Sequence, residues 1–430
     1  MNMNRTLLAL ATTLSLAVLP GVQADTITWT NAAGGSFHEP LNWSPNVVPF
    51  TNDTAVFELT NAAYKVTWNE NVTNHTHIVR AGTVTFDLQG HTYSLSKLCT
   101  NTIGTATSAA NVTFTNGTVV RLEATGSGIY GTGLNFSLRG TGSSLHLRNA
   151  KYRYIVYYAS IYSGTQIVVD GPEADLYGHG YASSMQGRLV VTNGAFMNYS
   201  ASINIKVGGS IHISGPGNRA IFSINSAGMP TNSSVLIDNG AEVEHGYLSA
   251  DNFILPIAGT VTLGNARWYD TYTMLNRGLR SFNTNGVLQG TGSVEMQRVI
   301  NNGGTIRPGG SQQAGLLSFT GLITNAAPSS VTDMELGGTA TNDYDRIRLV
   351  AGARGPGTLY AGGILKVSLI NGFVPQQPAT FKLFEAVDIV GTFDTVDMPA
   401  LSGTWSTAAL YESGEITFEP APKGTLIMFN

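Results

Sequence analysis

A chain of 430 residues with 12% charged residues, where about 25% is usual, and with 50 glycines has little material for solvated charged helices and much for turns. Its formal net charge of -4 is spread without blocks, which excludes the basic stripe that a nucleic-acid partner requires. Cys99 is the single cysteine, so an intrachain disulfide is excluded, and its thiol reads as a small buried hydrophobe before a reactive group.

The chain opens with Arg5, the apolar run from Leu7 to Leu19, then Pro20, Gly21 and the small-residue exit Val22-Gln23-Ala24 before Asp25. That order of basic start, apolar stretch and cleavage site is a secretory signal peptide over residues 1–24, too short for a membrane span of ~20 residues. The predicted destination is therefore secretion or the cell surface. Losing residues 1–24 removes Arg5 and no acid, which moves the net charge from -4 to -5.

Residues 25–100 read as an N-terminal cap followed by the first coils of a repeat. Trp29 and Trp43 stand among Gly34, Gly35, Pro45 and Pro49, either as a cap over an open core or as an aromatic platform for a sugar, and the cap is the preferred reading. Tyr64 to Trp68, Val84 to Phe86 and Phe86 to Leu95 alternate with period two, the mark of strands with one buried face.

From residue 101 to 302 one unit recurs: a β-branched run, a turn ending in glycine and a second alternating run, clearest between Arg188 and His245. The turn glycines Gly117, Gly140, Gly171, Gly194, Gly215, Gly240, Gly264 and Gly290 are separated, by subtraction, by 23, 31, 23, 21, 25, 24 and 26 residues. A period of that size predicts the coils of a right-handed parallel β-helix, a solenoid in which each coil buries its inward side chains against its neighbours. Val190, Ile213, Leu236 and Val261 are expected to stack as one inward column. Asn, Ser and Thr at the turns, as in Asn193-Gly194 and Asn239-Gly240, suit left-handed backbone.

The long gap between Gly140 and Gly171 holds Tyr152, Arg153, Tyr154, Tyr157, Tyr158 and Tyr162, the densest aromatic patch of the chain. Its excess over the period predicts an inserted loop, whose tyrosines and arginine would contact an extracellular glycan or a surface protein. An aromatic stack inside the coil is the other reading, and alternation alone leaves both open.

Chemistry was sought in converging groups. Glu242 and Glu244 share one face of a strand beside His245, a spacing of ~7 Å that suits an acid-base pair for glycoside cleavage; outward carboxylates on a solvated strand are far commoner. Asp170, Glu173 and Asp175 gather near a turn, and His75 and His77 are the closest histidine pair, which is too little for a metal site. No phosphate loop, nucleophile elbow or zinc-protease motif is present, so no cofactor and no metal are assigned.

After residue 303 the period breaks. Pro308, Gly309 and Gly310, and later Ala326 to Ser330, punctuate strands such as Arg346 to Val350, Ile364 to Ile370 and Glu415 to Phe418. Hairpin-length spacing predicts an antiparallel, sandwich-like cap over residues 303–420, with a tail at 421–430. Asp343 and Asp345 around Tyr344 read as turn carboxylates ahead of cation ligands.

Trp29, Asn42-Trp43, Asp53 to Phe57, Phe86 to Gly90 and Tyr93 to Leu95, with Gly304 to Gly310, Glu335 to Thr339, Tyr344-Asp345, Gly357 to Leu359 and Phe373, resemble exported bacterial proteins with autotransporter-associated β-strand repeats. The resemblance covers most of the chain beyond residue 24 and implies a β-helical passenger of adhesin-like role, with no catalytic residues to carry over. No membrane β-barrel of ~10-residue alternating strands follows it here, so self-transport is not expected. Residue by residue, the sequence points to a non-enzymatic protein for cell-surface display, adhesion or extracellular matrix. The alternative is a carbohydrate-active protein, either a polysaccharide hydrolase or lyase or a glycan-binding module.

Overall fold

The computed structural model describes residues 24–95, 101–121, 135–155, 158–179, 183–224, 228–245, 254–270 and 279–422. The signal segment up to residue 23, Cys99 and the tail from residue 423 lie outside the described residues. Strand makes up 58% of the structure, and its one helical piece among the described residues is the 3-10 turn Pro40–Asn42. The all-β class read from the sequence stands.

The finer expectation, a right-handed parallel β-helix solenoid with an antiparallel sandwich-like cap, is corrected. The main sheet joins 36 strands and is a closed parallel barrel of mixed type, because Thr26–Trp29 meets Trp43–Ser44 antiparallel before any parallel partner is added. Parallel pairing does not stop at residue 303: Thr305–Pro308 pairs with Val331–Leu336, then Ile364–Leu369, then Thr395–Asp397, all parallel. The antiparallel part of this region is a small three-stranded sheet of Ala379–Lys382, Glu415–Pro420 and Gly403–Ser406. Turn-like spacing misled here, since Gly and Pro punctuate crossovers as well as hairpins.

The ladders explain the glycine period. Gln166–Asp170 lies beside Arg188–Thr192, then Ser210–Ser214, Ser234–Asp238 and the start of Thr260–Asp270, each step parallel and in register. Parallel neighbours need a crossover of a dozen residues or more. Offsets of 22, 22, 24 and 26 residues between the paired first residues supply it. At the turns, Asn193 (φ 58) with Gly194 (φ 82) and Asn239 (φ 54) with Gly240 (φ 81) take left-handed backbone, which these two residue types reach at little cost.

The expected inward column is also corrected. Val190 pairs with His212, Leu236 and Thr262, and this row faces outward and is only partly buried. Two inward columns flank it: Ile167, Leu189, Ile211, Val235 and Val261 on one side, and Val169, Val191, Ile213, Ile237 and Leu263 on the other, none more than 5% exposed. Ile213 and Val261 do point inward but stand in different columns. Side chains alternate with period two, so a choice of phase wrong by one residue sends Val190 and Leu236 to the outer face.

One end of the core is aromatic. Trp43 makes edge contacts with Trp29 (5.1 Å), Phe37 (4.9 Å) and Phe57 (5.5 Å), and Phe37 lies 4.8 Å from Trp68. The indole N–H of Trp43 donates to the Phe37 carbonyl at 2.8 Å, and that of Trp29 to the Asn31 carbonyl at 2.7 Å, so both polar edges are satisfied inside the core. Neither ring is open to a sugar, and both are packing residues of the cap. At the other end Phe381, Leu383, Leu410 and Ile416 are fully buried beneath the small antiparallel sheet.

Candidate functional site

Four neighbouring strands bring the sequence's best carboxylates together. Arg219–Ile224, Glu242–His245, the end of Thr260–Asp270 and the middle of Val287–Asn302 lie side by side, which aligns Arg219, Glu242, Arg267 and Ser293 in one row and Ile221, Glu244, Tyr269 and Glu295 two positions further. Alternation sends Val243 and Trp268 into the core and leaves these rows on the outer surface. Glu242 and Glu244 therefore share one face, as their spacing requires.

Arginines take up both carboxylates. Arg219 donates to Glu244, whose carboxylate also accepts from the Tyr269 hydroxyl at 3.2 Å. Arg267 grips Glu295 with two bonds of 2.7 Å, reaches Glu242 at 3.7 Å and stacks 4.0 Å over the Tyr269 ring. The bond from Arg267 holds the Glu295 carboxyl below its ordinary range, and the bond to Glu244 raises the Arg219 guanidinium above its own. Burial raises the Tyr269 phenol. A cross-strand lattice of alternating charge stiffens the outer face. An acid-base pair for sugar cleavage needs two carboxyl groups open to substrate, and here both are occupied. Because Arg219 is half exposed, Glu244→Gln is expected to change unfolding free energy by about 1 kcal/mol or less in urea denaturation.

Tyrosines 152 to 162 do not form an inserted loop where they are described. The strand Ser144–Ile155 runs through Tyr152, Arg153 and Tyr154, in parallel register with Asp175–His179, and Tyr158–Ile161 is a strand of the same sheet. Tyr152 is buried, its ring 5.8 Å from Phe114, and belongs to the core. Tyr162 is exposed, and its hydroxyl accepts from Arg139 at 3.0 Å while the same guanidinium stacks over the ring. The side chains of Arg153, Tyr154 and Tyr158, and all of Tyr157, lie outside the described residues. The extra length falls before Ser144, which pairs with Asn111 across 33 residues, whereas its next partner, Gln166, is 22 residues on. Tyr152→Leu is expected to cost about 1 kcal/mol, the worth of the lost ring contact, read from the shift of the urea midpoint.

Asp343 and Asp345 diverge. Asp343 is exposed, while Asp345 is wholly buried, with one carboxylate oxygen accepting from the Gly315 amide (2.8 Å) and the other from the Glu335 amide (2.9 Å). Burial, against these two hydrogen bonds, pushes its carboxyl up to about 8, with Glu335 and Asp333 adding to the rise. Asp333 is satisfied differently, by Arg307 through bonds of 2.9 and 2.7 Å and by Lys366 at 3.8 Å. No group of three or more metal-ligating side chains converges among the described residues. His77 sits alone in an aromatic cage of Phe86, Tyr93 and Phe114, where burial pushes its imidazole down to about 4.

An open groove of about 920 Å³ lies near the far end of the sheet, between Arg346–Val350, Phe384–Glu385, Asp388–Gly391 and the turn carrying Tyr411 and Glu412. Its cations are held: Arg348 bonds Glu385 at 2.6 Å, Arg346 bonds the other oxygen of Glu385 at 2.8 Å, and Lys382 stands 3.7 Å from Glu415. Sequence reading missed this groove and the arginine lattice. The lattice left a signal, since Arg219, Glu242 and Arg267 are spaced by 23 and 25 residues, the period of the repeat itself.

No helix among the described residues is long and apolar enough to cross a membrane. A comparison with protein-family models gives no match, and a comparison with curated proteins gives none.

Proposed function

We propose that this chain is an exported, non-enzymatic structural protein of adhesin-like role, serving cell-surface display, adhesion or extracellular matrix. The observation that carries the reading is the outer-face lattice, in which Glu242 and Glu244, the carboxylates best placed for hydrolysis, are taken up by Arg267 and Arg219. A surface built of charge pairs repeated across parallel strands is a scaffold, and the apolar columns beneath it keep that scaffold straight. The leader-like order of Arg5, Leu7 to Leu19 and Ala24 supports export.

The carbohydrate-active reading is the one to test against it. Purified protein incubated with a panel of polysaccharides is expected to release no reducing ends above blank. Cleavage that disappears in Glu242→Gln or Glu244→Gln would overturn the proposal, and fractionation of producing cells and medium with an antibody to residues 25–422 should find the chain outside the cytoplasm.

A further inference from the structure

The strand Asp388–Gly391 pairs with Thr358–Ala361 along one edge, and among the described residues no strand pairs with its other edge. A free edge presents alternate N–H and C=O groups ready to bond another chain, and proteins commonly blunt such edges with lysine, proline or cover. Here the edge carries none of these: Val387 is 65% exposed and Val390 40%. The same edge borders the groove, whose walls offer Leu349, Ile389 and Tyr411. Asp388 and Glu412 also line it, both exposed and neither in an ion pair among the described residues, while every cation of the groove already has an acidic partner. The unanswered charge is negative, beside an apolar floor and an open edge.

We propose that this edge and groove receive an extended segment of a partner protein in which apolar and basic residues alternate. The segment adds a strand beyond Asp388–Gly391, seats apolar side chains against Val387, Ile389 and Tyr411, and brings ammonium or guanidinium groups to Asp388 and Glu412. Main-chain bonds supply the affinity and the two carboxylates select the sequence, the division of labour of strand addition. This surface lies apart from the arginine lattice, so the proposal stands or falls independently of the display reading.

The test uses the full chain and a fluorescein-labelled, end-blocked peptide of alternating valine and lysine, followed by anisotropy at low salt. Saturable binding is expected, and it should weaken at least about tenfold in the double variant Asp388→Lys with Glu412→Lys, while the matching valine-glutamate peptide gains. The valine-lysine peptide carrying N-methyl groups on alternate residues should fail to bind, because it cannot donate to the edge. Both substituted residues are exposed, so an unchanged unfolding midpoint confirms that the double variant is folded. Absence of saturable binding, equal affinity for the lysine and glutamate peptides, or full binding by the N-methylated peptide overturns the proposal. So does sedimentation showing that the chain already fills the groove with a second copy of itself.

Discussion

Replacing Trp43 with alanine is expected to lower the unfolding free energy by about 3–5 kcal/mol, the range for truncating a large buried aromatic. The residue is 1% exposed and lies where four rings meet, so the cavity it leaves is walled by Trp29, Phe37 and Phe57, which are fixed by their own partners and cannot collapse into it. A second loss adds to the first: the Phe37 carbonyl gives up the indole N–H that satisfies it at 2.8 Å. Trp43→Phe should recover most of the packing and leave only that hydrogen bond unmade. Urea denaturation followed by tryptophan fluorescence and circular dichroism measures both, and a loss below about 1 kcal/mol for the alanine variant would mean that the aromatic end is not part of the cooperative core.

Stability is expected to fall as pH rises from about 6.5 to 8, against the usual plateau of globular proteins. Asp345 has its carboxyl raised from 3.8 to about 8, so its contribution is complete below 3.8 and is lost as pH rises through 8. His77 acts with the opposite sign: lowered from 6.5 to about 4, it contributes fully above 6.5 and loses that contribution as pH falls through 4. Between about 4 and 6.5 the two slopes oppose each other, and above 6.5 Asp345 acts alone. Taken at face value the shifts correspond to roughly 5 kcal/mol for Asp345 over its whole range and roughly 3 kcal/mol for His77. Asp345→Asn should flatten the profile above pH 6.5, at reduced stability overall because one backbone amide loses its acceptor. Thermal unfolding at closely spaced pH values checks this, and a wild-type midpoint that stays level from pH 6.5 to 8 would rule it out.

The repeat was legible because it is written in residues with strong local preferences. Asn193-Gly194 and Asn239-Gly240 mark turns whose left-handed backbone only such residues reach easily, and the spacing between them equals the parallel offset. Phase was not legible: valines and isoleucines occur on both sides of these strands, so Val190 and Leu236 look as inward as Leu189 and Val235 until a neighbouring strand fixes the face. Tyr152 illustrates the same limit, since a tyrosine-rich run serves a core or a surface equally well and only its contact with Phe114 decides. In the region after residue 303, Gly-Pro punctuation carries no sign of strand direction, and so a parallel continuation was read as hairpins. The pairing of Glu244 with Arg219 joins residues 25 apart, and it becomes visible only when the repeat is folded back on itself.

The uneven step between Asn111 and Ser144 bears on how such a chain can change over generations. Joining partners 33 residues apart where 22 suffice elsewhere raises the closure entropy by only about 0.4 kcal/mol, because that cost grows with the logarithm of the loop. The paired strands themselves keep their register on both sides of the longer connection. New sequence can thus enter between strands almost without thermodynamic penalty, and a lineage can diversify what it carries at its turns while the sheet that carries it stays the same.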